Sequence, residues 1–223
     1  MTILSAVRSF AAVVGLEIPD RLFGVSDRDA VETQALAAEM AARIAEHHDW
    51  RALARQFTIP AGAATFTLPV DFARFRQGTA ITTPAGRVLN RIDPAAPDYF
   101  PLGGWRVVGG IVLLSNPPGD VLTGTYQSNG YVVAENGSTR AEFLHDSDRF
   151  ALNERLLTLG MIWQWKANKG LPYGQDYDNY ERAIGKAVGT DGPRTVLEIG
   201  GRSRFEGAKL AWPGILGTPD NLP

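Results

Sequence analysis

The chain has 223 residues, of which 44% are apolar and 21% charged, the usage of an ordinary globular protein. This excludes a chain disordered throughout, a collagen-like repeat and a coiled-coil rod. With no cysteine, a disulfide scaffold, thiolate zinc sites, iron–sulfur clusters and a cysteine nucleophile are excluded too. A net charge of −2 leaves no global basic field to hold nucleic acid. With 24 glycines and 14 prolines, the chain carries more turn formers than usual, which predicts a substantial β or loop component.

In chain order, Ile3, Leu4, Val7, Phe10, Ala11 and Val14 recur at helical spacing and stop at Gly15. Arg8 breaks the apolar run, no basic stretch precedes it, and Glu17 and Asp20 follow. An amphipathic helix is therefore expected in place of a signal peptide, in a soluble protein made inside the cell. Pro19 and Gly24 mark a loop. Ser26 and Asp29 have capping-box spacing, with Asp27 adding charge at the helix start. The helix they open runs to about His48, with Leu36, Met40 and Ile44 as one stripe flanked by Ala37, Ala41 and Ala45. Small residues of this kind allow close approach of helices, within one chain or between subunits.

From about residue 55 the period changes to two. Phe57 and Ile59 alternate with polar neighbours, and strands are expected at Thr65–Leu68, Ala80–Thr82 and Arg87–Ile92. The clearest signal is Trp105–Val108 and Ile111–Leu114 around Gly109-Gly110, a hairpin with a two-residue turn. Val121–Gln127 adds a further strand after Pro117-Pro118-Gly119. Five to seven short antiparallel strands are expected here. A helix then starts near Arg149, capped by Asp146, Ser147 or Asp148, and Phe150, Leu152, Leu156, Leu157, Leu159, Met161, Ile162, Trp163 and Trp165 surround it. A helix apolar on nearly all sides is expected to be buried on most of them. Gly170 and Pro172 end it, and a last helix carries Tyr173, Tyr177, Tyr180, Ile184 and Val188. Residues 194–223 are rich in Gly and Pro and read as an extended arm that orders against something else.

The expected fold is thus α+β: a helical bundle (1–52 and 146–193), an inserted antiparallel β module (53–145) and a C-terminal arm (194–223). No phosphate-binding loop, dinucleotide fingerprint or nucleophile elbow occurs. His47, His48 and His145 are the obvious metal or catalytic candidates. Adjacent side chains on a helix diverge by about 100°, so His47 and His48 are poor co-ligands, and a favourable contact with the helix dipole explains them better. The pairs Asp146/Asp148 and Asp176/Asp178 have the same dipole explanation. Asn136-Gly137-Ser138 matches a glycosylation sequon but reads as a turn. Trp163 and Trp165 read as core, Trp50 as a staple between helix and strands, and Trp105 as core or edge. No catalytic residue, metal or cofactor is assigned. Trp212 has no local core to join, and with Arg202, Arg204, Phe205 and Lys209 it forms the candidate partner-binding set.

The order of several short motifs resembles the head–tail adaptor, or connector, proteins of tailed bacteriophages. These are His48-Asp49-Trp50 after the helix pair, Leu68-Pro69-Val70-Asp71-Phe72, the Trp105–Gly109 hairpin followed by Pro117-Pro118, and the strand bearing Gly124, Thr125 and Tyr126. Trp163–Lys166 and Gly170-Leu171-Pro172-Tyr173 complete the series, which spans roughly residues 1–188. The resemblance implies a structural virion protein with no catalytic residues, assembled as a ring, commonly of twelve copies. Its partners would be the portal protein and a tail or second neck protein. Genomic DNA would pass through without specific binding, and no membrane is involved. Such proteins often insert their C-terminal segment into the portal or a neighbouring subunit. A tail-terminator or tail-tube ring is the alternative within the virion. A carbohydrate-binding module with Trp105 as platform, or a metal-dependent hydrolase using the histidines, lies outside it.

Overall fold

A computed structural model describes residues 2–76, 81–93 and 103–192. Residues Met1–Gly192 form one compact unit. The described residues have an α+β fold of four helices and ten short strands.

Helix α1 (Ile3–Val14) opens with a true capping box. Thr2 accepts from the Ser5 N–H, and Ser5 accepts from that of Thr2. Gly15, in the left-handed conformation at φ 78°, ends it. In α2 (Arg28–His47) the cap is Asp27, which takes the N–H groups of Asp29 and Ala30; the Ser26/Asp29 box does not form. Two candidate caps competed one residue apart, and the carboxylate won. A 3₁₀ turn, Arg51–Leu53, leads into the strands.

Strands β1 (Ala54–Ile59), β2 (Thr65–Thr67), β3 (Phe72–Phe75), β4 (Asn90–Arg91), β5 (Gly104–Val108), β6 (Ile111–Leu114) and β7 (Leu122–Ser128) come next. Then follow β8 (Val132–Val133), β9 (Thr139–Arg140) and β10 (Arg149–Phe150). They form three small sheets, ordered β1-β7-β3, β2-β6-β5-β4 and β10-β8-β9. The Gly109-Gly110 hairpin forms as expected, with both glycines at positive φ, 57° and 79°, as a two-residue turn between right-twisted strands requires. The pairing is not wholly antiparallel, because β4 lies parallel to β5. The expected strand over Arg87–Ile92 shortens to β4 and an isolated Thr82–Val88 bridge around the Pro84-Ala85-Gly86 turn. Ala80 lies outside the described residues.

The third helix begins later than expected. Arg149 and Phe150 are paired with Val133 and Val132 in a sheet, and α3 (Glu154–Asn168) is capped by Asn153, which accepts from the Arg155 N–H. Leu156, Leu157, Gly160, Met161 and Ile162 are buried, whereas Leu159, Trp163 and Trp165 are only half-buried, so one side of α3 is left partly open. Helix α4 (Gly174–Asp191) starts just after Tyr173 and buries only Tyr180 and Ile184; Tyr173 and Tyr177 face outward.

The apolar side chains form two cores. One joins α1, α2, α3 and α4 with Trp50, Leu53, Val132 and Phe143. The other lies among the strands, around Phe57, Ile59, Trp105, Val112 and Leu122. Trp105 is 1% exposed, so it is core, and its indole N–H donates to the Leu89 carbonyl at 3.2 Å.

Asp148 ties the first core together. Its carboxylate is fully buried, yet accepts from Arg140 at 2.5 and 2.6 Å and from the N–H groups of Leu144 and His145 at 2.7 and 2.9 Å. Its carbonyl accepts from the Ile3 N–H, one of the otherwise unpaired donors at the start of α1. Two residues earlier, Asp146 accepts from the N–H groups of Leu22 and Phe23, fixing the α1–α2 loop.

Two predictions follow from this packing. Burial alone would raise the Asp148 pKa, but the Arg140 guanidinium and the two N–H donors outweigh it and hold the carboxyl below its ordinary 3.8. A carboxylate with a depressed folded pKa stabilises fully above its unfolded value, and that contribution is lost as pH falls through the folded value. Asp148→Ala should therefore cost about 3–5 kcal/mol in urea unfolding at pH 7, by leaving a cation uncompensated. The gap from wild type should close as pH drops below 3.8. The second prediction concerns two glycines. A Cβ at Gly124 would sit 2.3 Å from the Phe57 ring, whereas one at Gly160 would crowd the far end of the flexible Met40 side chain, at 2.5 Å, and touch the Tyr180 ring at an ordinary 3.4 Å. Gly124→Ala should cost about 1–3 kcal/mol. Gly160→Ala should cost clearly less, because helix propensity returns about 1 kcal/mol.

Candidate functional site

The motifs that suggested a family prove to be joints. His48 follows the last residue of α2 as its C-cap and packs edge-on against Trp50, ring centroids 5.1 Å apart. Asp49 pairs with Arg74 of β3 at 2.8 Å. Trp50 is buried, donates to the Ile44 carbonyl at 2.7 Å, and accepts from the Gln127 amide of β7 at 3.1 Å. Three consecutive residues thus connect the helical core to the sheet beside it.

Leu68–Phe72 is a second joint. Asp71 accepts from the Tyr126 hydroxyl at 2.7 Å and from the Ser128 hydroxyl at 2.8 Å, and its carbonyl accepts from the Asn129 N–H. Phe72 packs against both Phe75 and Tyr126. Burial, with Asp71 as hydrogen-bond partner and neighbouring charge, pushes the Tyr126 phenol up to about 12. On α3, Lys166 pairs with Asp176 of α4 at 2.6 Å, and Trp163 packs against Tyr173, Tyr177 and Tyr180. Gly170, at φ 68°, allows the tight turn between these helices.

The histidines are not brought into one group. His48 lies 3.6 Å from Asp191, His47 is the exposed last residue of α2, and His145 is exposed on the loop that Asp148 organises. Among the described residues no cluster of three or more His, Asp or Glu side chains could hold a metal. Asp146 and Asp148 do not face a common cleft, since each is consumed by the contacts given above. Arg202, Arg204, Phe205, Lys209 and Trp212 lie outside the described residues.

Two surface features escaped the sequence reading. A groove of about 440 Å³ runs beside the α1–α2 loop, and the loop itself carries exposed Glu17, Ile18 and Asp20. A second groove, of about 490 Å³, lies between the start of α3, the end of α4 and the 3₁₀ turn, with Arg155 and Lys186 in its lining. The second groove required residues distant in the chain to meet, so no local pattern announced it. The loop did carry a local signal in Glu17-Ile18-Pro19-Asp20, an apolar pair between two carboxylates.

The family model for the SU10 adaptor protein matches residues 1–197. The chain belongs to this family of phage head–tail adaptor proteins. It is accordingly a structural component of a phage virion. No curated protein matches it. Among the described residues no helix is long and apolar enough to cross a membrane.

The Asp71 joint is open to test. Asp71→Ala should cost about 2 kcal/mol or more, since hydrogen bonds to a charged acceptor are worth about 1.5–3 kcal/mol each. In an ultraviolet pH titration Tyr126 should ionise near 12 in wild type and at a lower pH in the variant. A phenol with a raised folded pKa stabilises fully below its unfolded value of 10.0, and that contribution is lost as pH rises toward 12.

Proposed function

We propose that the chain forms a ring that docks on the portal at the capsid vertex and extends the DNA channel to the tail. The carrying observation is the family match over residues 1–197. The motifs on which the resemblance rests include joints between helices and strands at His48–Trp50 and Leu68–Phe72, which suits a protein that works by holding a shape. The ring has twelve copies, sits in the virion neck and meets a tail or second neck protein on its far side. Genomic DNA passes without specific binding, in keeping with a net charge of −2, since tight phosphate binding would hinder passage.

Within this reading the helical bundle (1–52 and 146–193) is the body, and 53–145 is a β module inserted in it. Residues 194–223 are an arm that orders on assembly, with Arg202, Arg204, Phe205, Lys209 and Trp212 as its anchors. The four helices favour an adaptor over a tail-terminator or tail-tube ring, in which strands would dominate. The protein acts by packing and carries out no reaction.

Negative-stain electron microscopy and native mass spectrometry, with and without the portal protein of the same phage, test the proposal. Rings, free or on the portal, are the expected result; a monomer indifferent to the portal would overturn it. Removal of 194–223 should leave the thermal transition nearly unchanged, because Met1–Gly192 is compact by itself, while docking is lost. Collapse of the fold on truncation would contradict the assignment of the arm.

A further inference from the structure

The α1–α2 loop and the groove between α3 and α4 are complementary in charge and in apolar character. In the loop, Ile18 is 55% exposed and is followed by Pro19, with Glu17 and Asp20 on either side of the pair. The loop is already held in shape, because the Arg8 guanidinium donates to the carbonyls of Pro19 and Asp20 at 3.0 and 3.1 Å. Arg8 is the only cation near the Asp20 carboxylate among the described residues, at 3.9 Å, and that carboxylate projects fully into solvent. Glu17 has no ion-pair partner among the described residues.

The groove presents the opposite character. Its apolar lining includes Leu152, Leu156, Ala183 and Ala187. Arg155 of α3 and Lys186 of α4 line it too, and neither has a carboxylate partner among the described residues. The one acid in the lining, Asp191, is already engaged, accepting from the Arg51 N–H at 2.8 Å and lying 3.6 Å from His48. Unpaired cations beside an apolar lining favour a segment with carboxylates next to an apolar side chain, and a pre-shaped segment loses little entropy on docking.

We propose that the Glu17–Asp20 loop of one copy docks in this groove of the next copy. Ile18 enters the apolar lining, and Glu17 and Asp20 meet Arg155 and Lys186. Loop and groove share no residue, so each copy can offer its loop to one neighbour and its groove to another, a head-to-tail contact of the kind that generates a ring when its rotation closes. This rests on the ring reading given above and deepens it by naming the two surfaces in contact.

The absence of cysteine from the chain makes disulfide trapping clean. Ile18→Cys and Ala52→Cys are introduced together, oxidised, and run on non-reducing gels, as free protein and with the portal present. The control pair replaces Ile18→Cys with Val121→Cys, an exposed position on the strand side. The expected result is a ladder of covalent multimers for the first pair in at least one preparation, and only a trace for the control. Adding Arg155→Glu and Lys186→Glu should cut the ladder about tenfold, and adding Glu17→Lys and Asp20→Lys as well should restore it. Circular dichroism checks the fold, with Arg155→Gln and Lys186→Gln as milder substitutes.

No ladder above control in either preparation, or a ladder indifferent to charge reversal, overturns the contact. Retention of a DNA duplex through Arg155 and Lys186 without a ladder also overturns it and gives the groove to nucleic acid. Portal-bound rings without a ladder defeat this contact and leave the adaptor reading standing. A charge-sensitive ladder without portal binding supports the contact while portal docking fails.

Discussion

A fully buried carboxylate is the constraint on which the helical core depends. Moving a carboxylate out of water costs several kcal/mol unless its charge is matched and its lone pairs are filled. Asp148 meets both conditions through the Arg140 guanidinium and the N–H groups of Leu144 and His145. Because those donors come from β9 and from the segment after it, the loop before α3 has little freedom. Its carbonyl then takes the first N–H of α1, and Asp146 holds the loop on the far side of that helix. One short acidic stretch thereby sets where α1 starts, where the α1–α2 loop lies and how the chain enters α3.

The same economy recurs where the two cores meet. Trp50 belongs to the helical core, yet its carbonyl holds the Gln127 amide of β7. Asp49 beside it holds Arg74 of β3. Asp71 in turn fixes Tyr126 and Ser128 on β7. Each contact is a buried or half-buried polar bond with its partner in place, and such bonds are costly to break singly. For a protein whose work is to hold neighbours in register, rigidity at these joints is the useful property.

The surface carries the remaining information. Exposed Ile18 lies between two carboxylates, and the groove between α3 and α4 holds two unpaired cations; the contact proposed above pairs the one with the other. Tyr173 and Tyr177, set against half-buried Trp163, form a second outward-facing apolar area. No comparable charge complement elsewhere in the described chain identifies what would cover it.

The sequence by itself determined the α+β class, the helix stripes, the Gly-Gly hairpin and most strand positions. These depend on periodicity and on turn residues, which act over a few neighbours. It also carried the family, through motifs spread along the chain. Contacts between distant residues decided the rest. Arg149 and Phe150 looked like the start of a helix until Val132 and Val133 offered strand partners, so α3 begins at Glu154 instead. The parallel placement of β4 beside β5 had no local signature. Tyr173 and Tyr177 share helical spacing with Tyr180, yet only Tyr180 faces inward, because Trp163 and the other helices cover one side of α4 alone. Asp146 and Asp148 read as ordinary acids at a helix start, and only tertiary structure made one of them a buried ion, since the charge that stabilises it is Arg140 on β9.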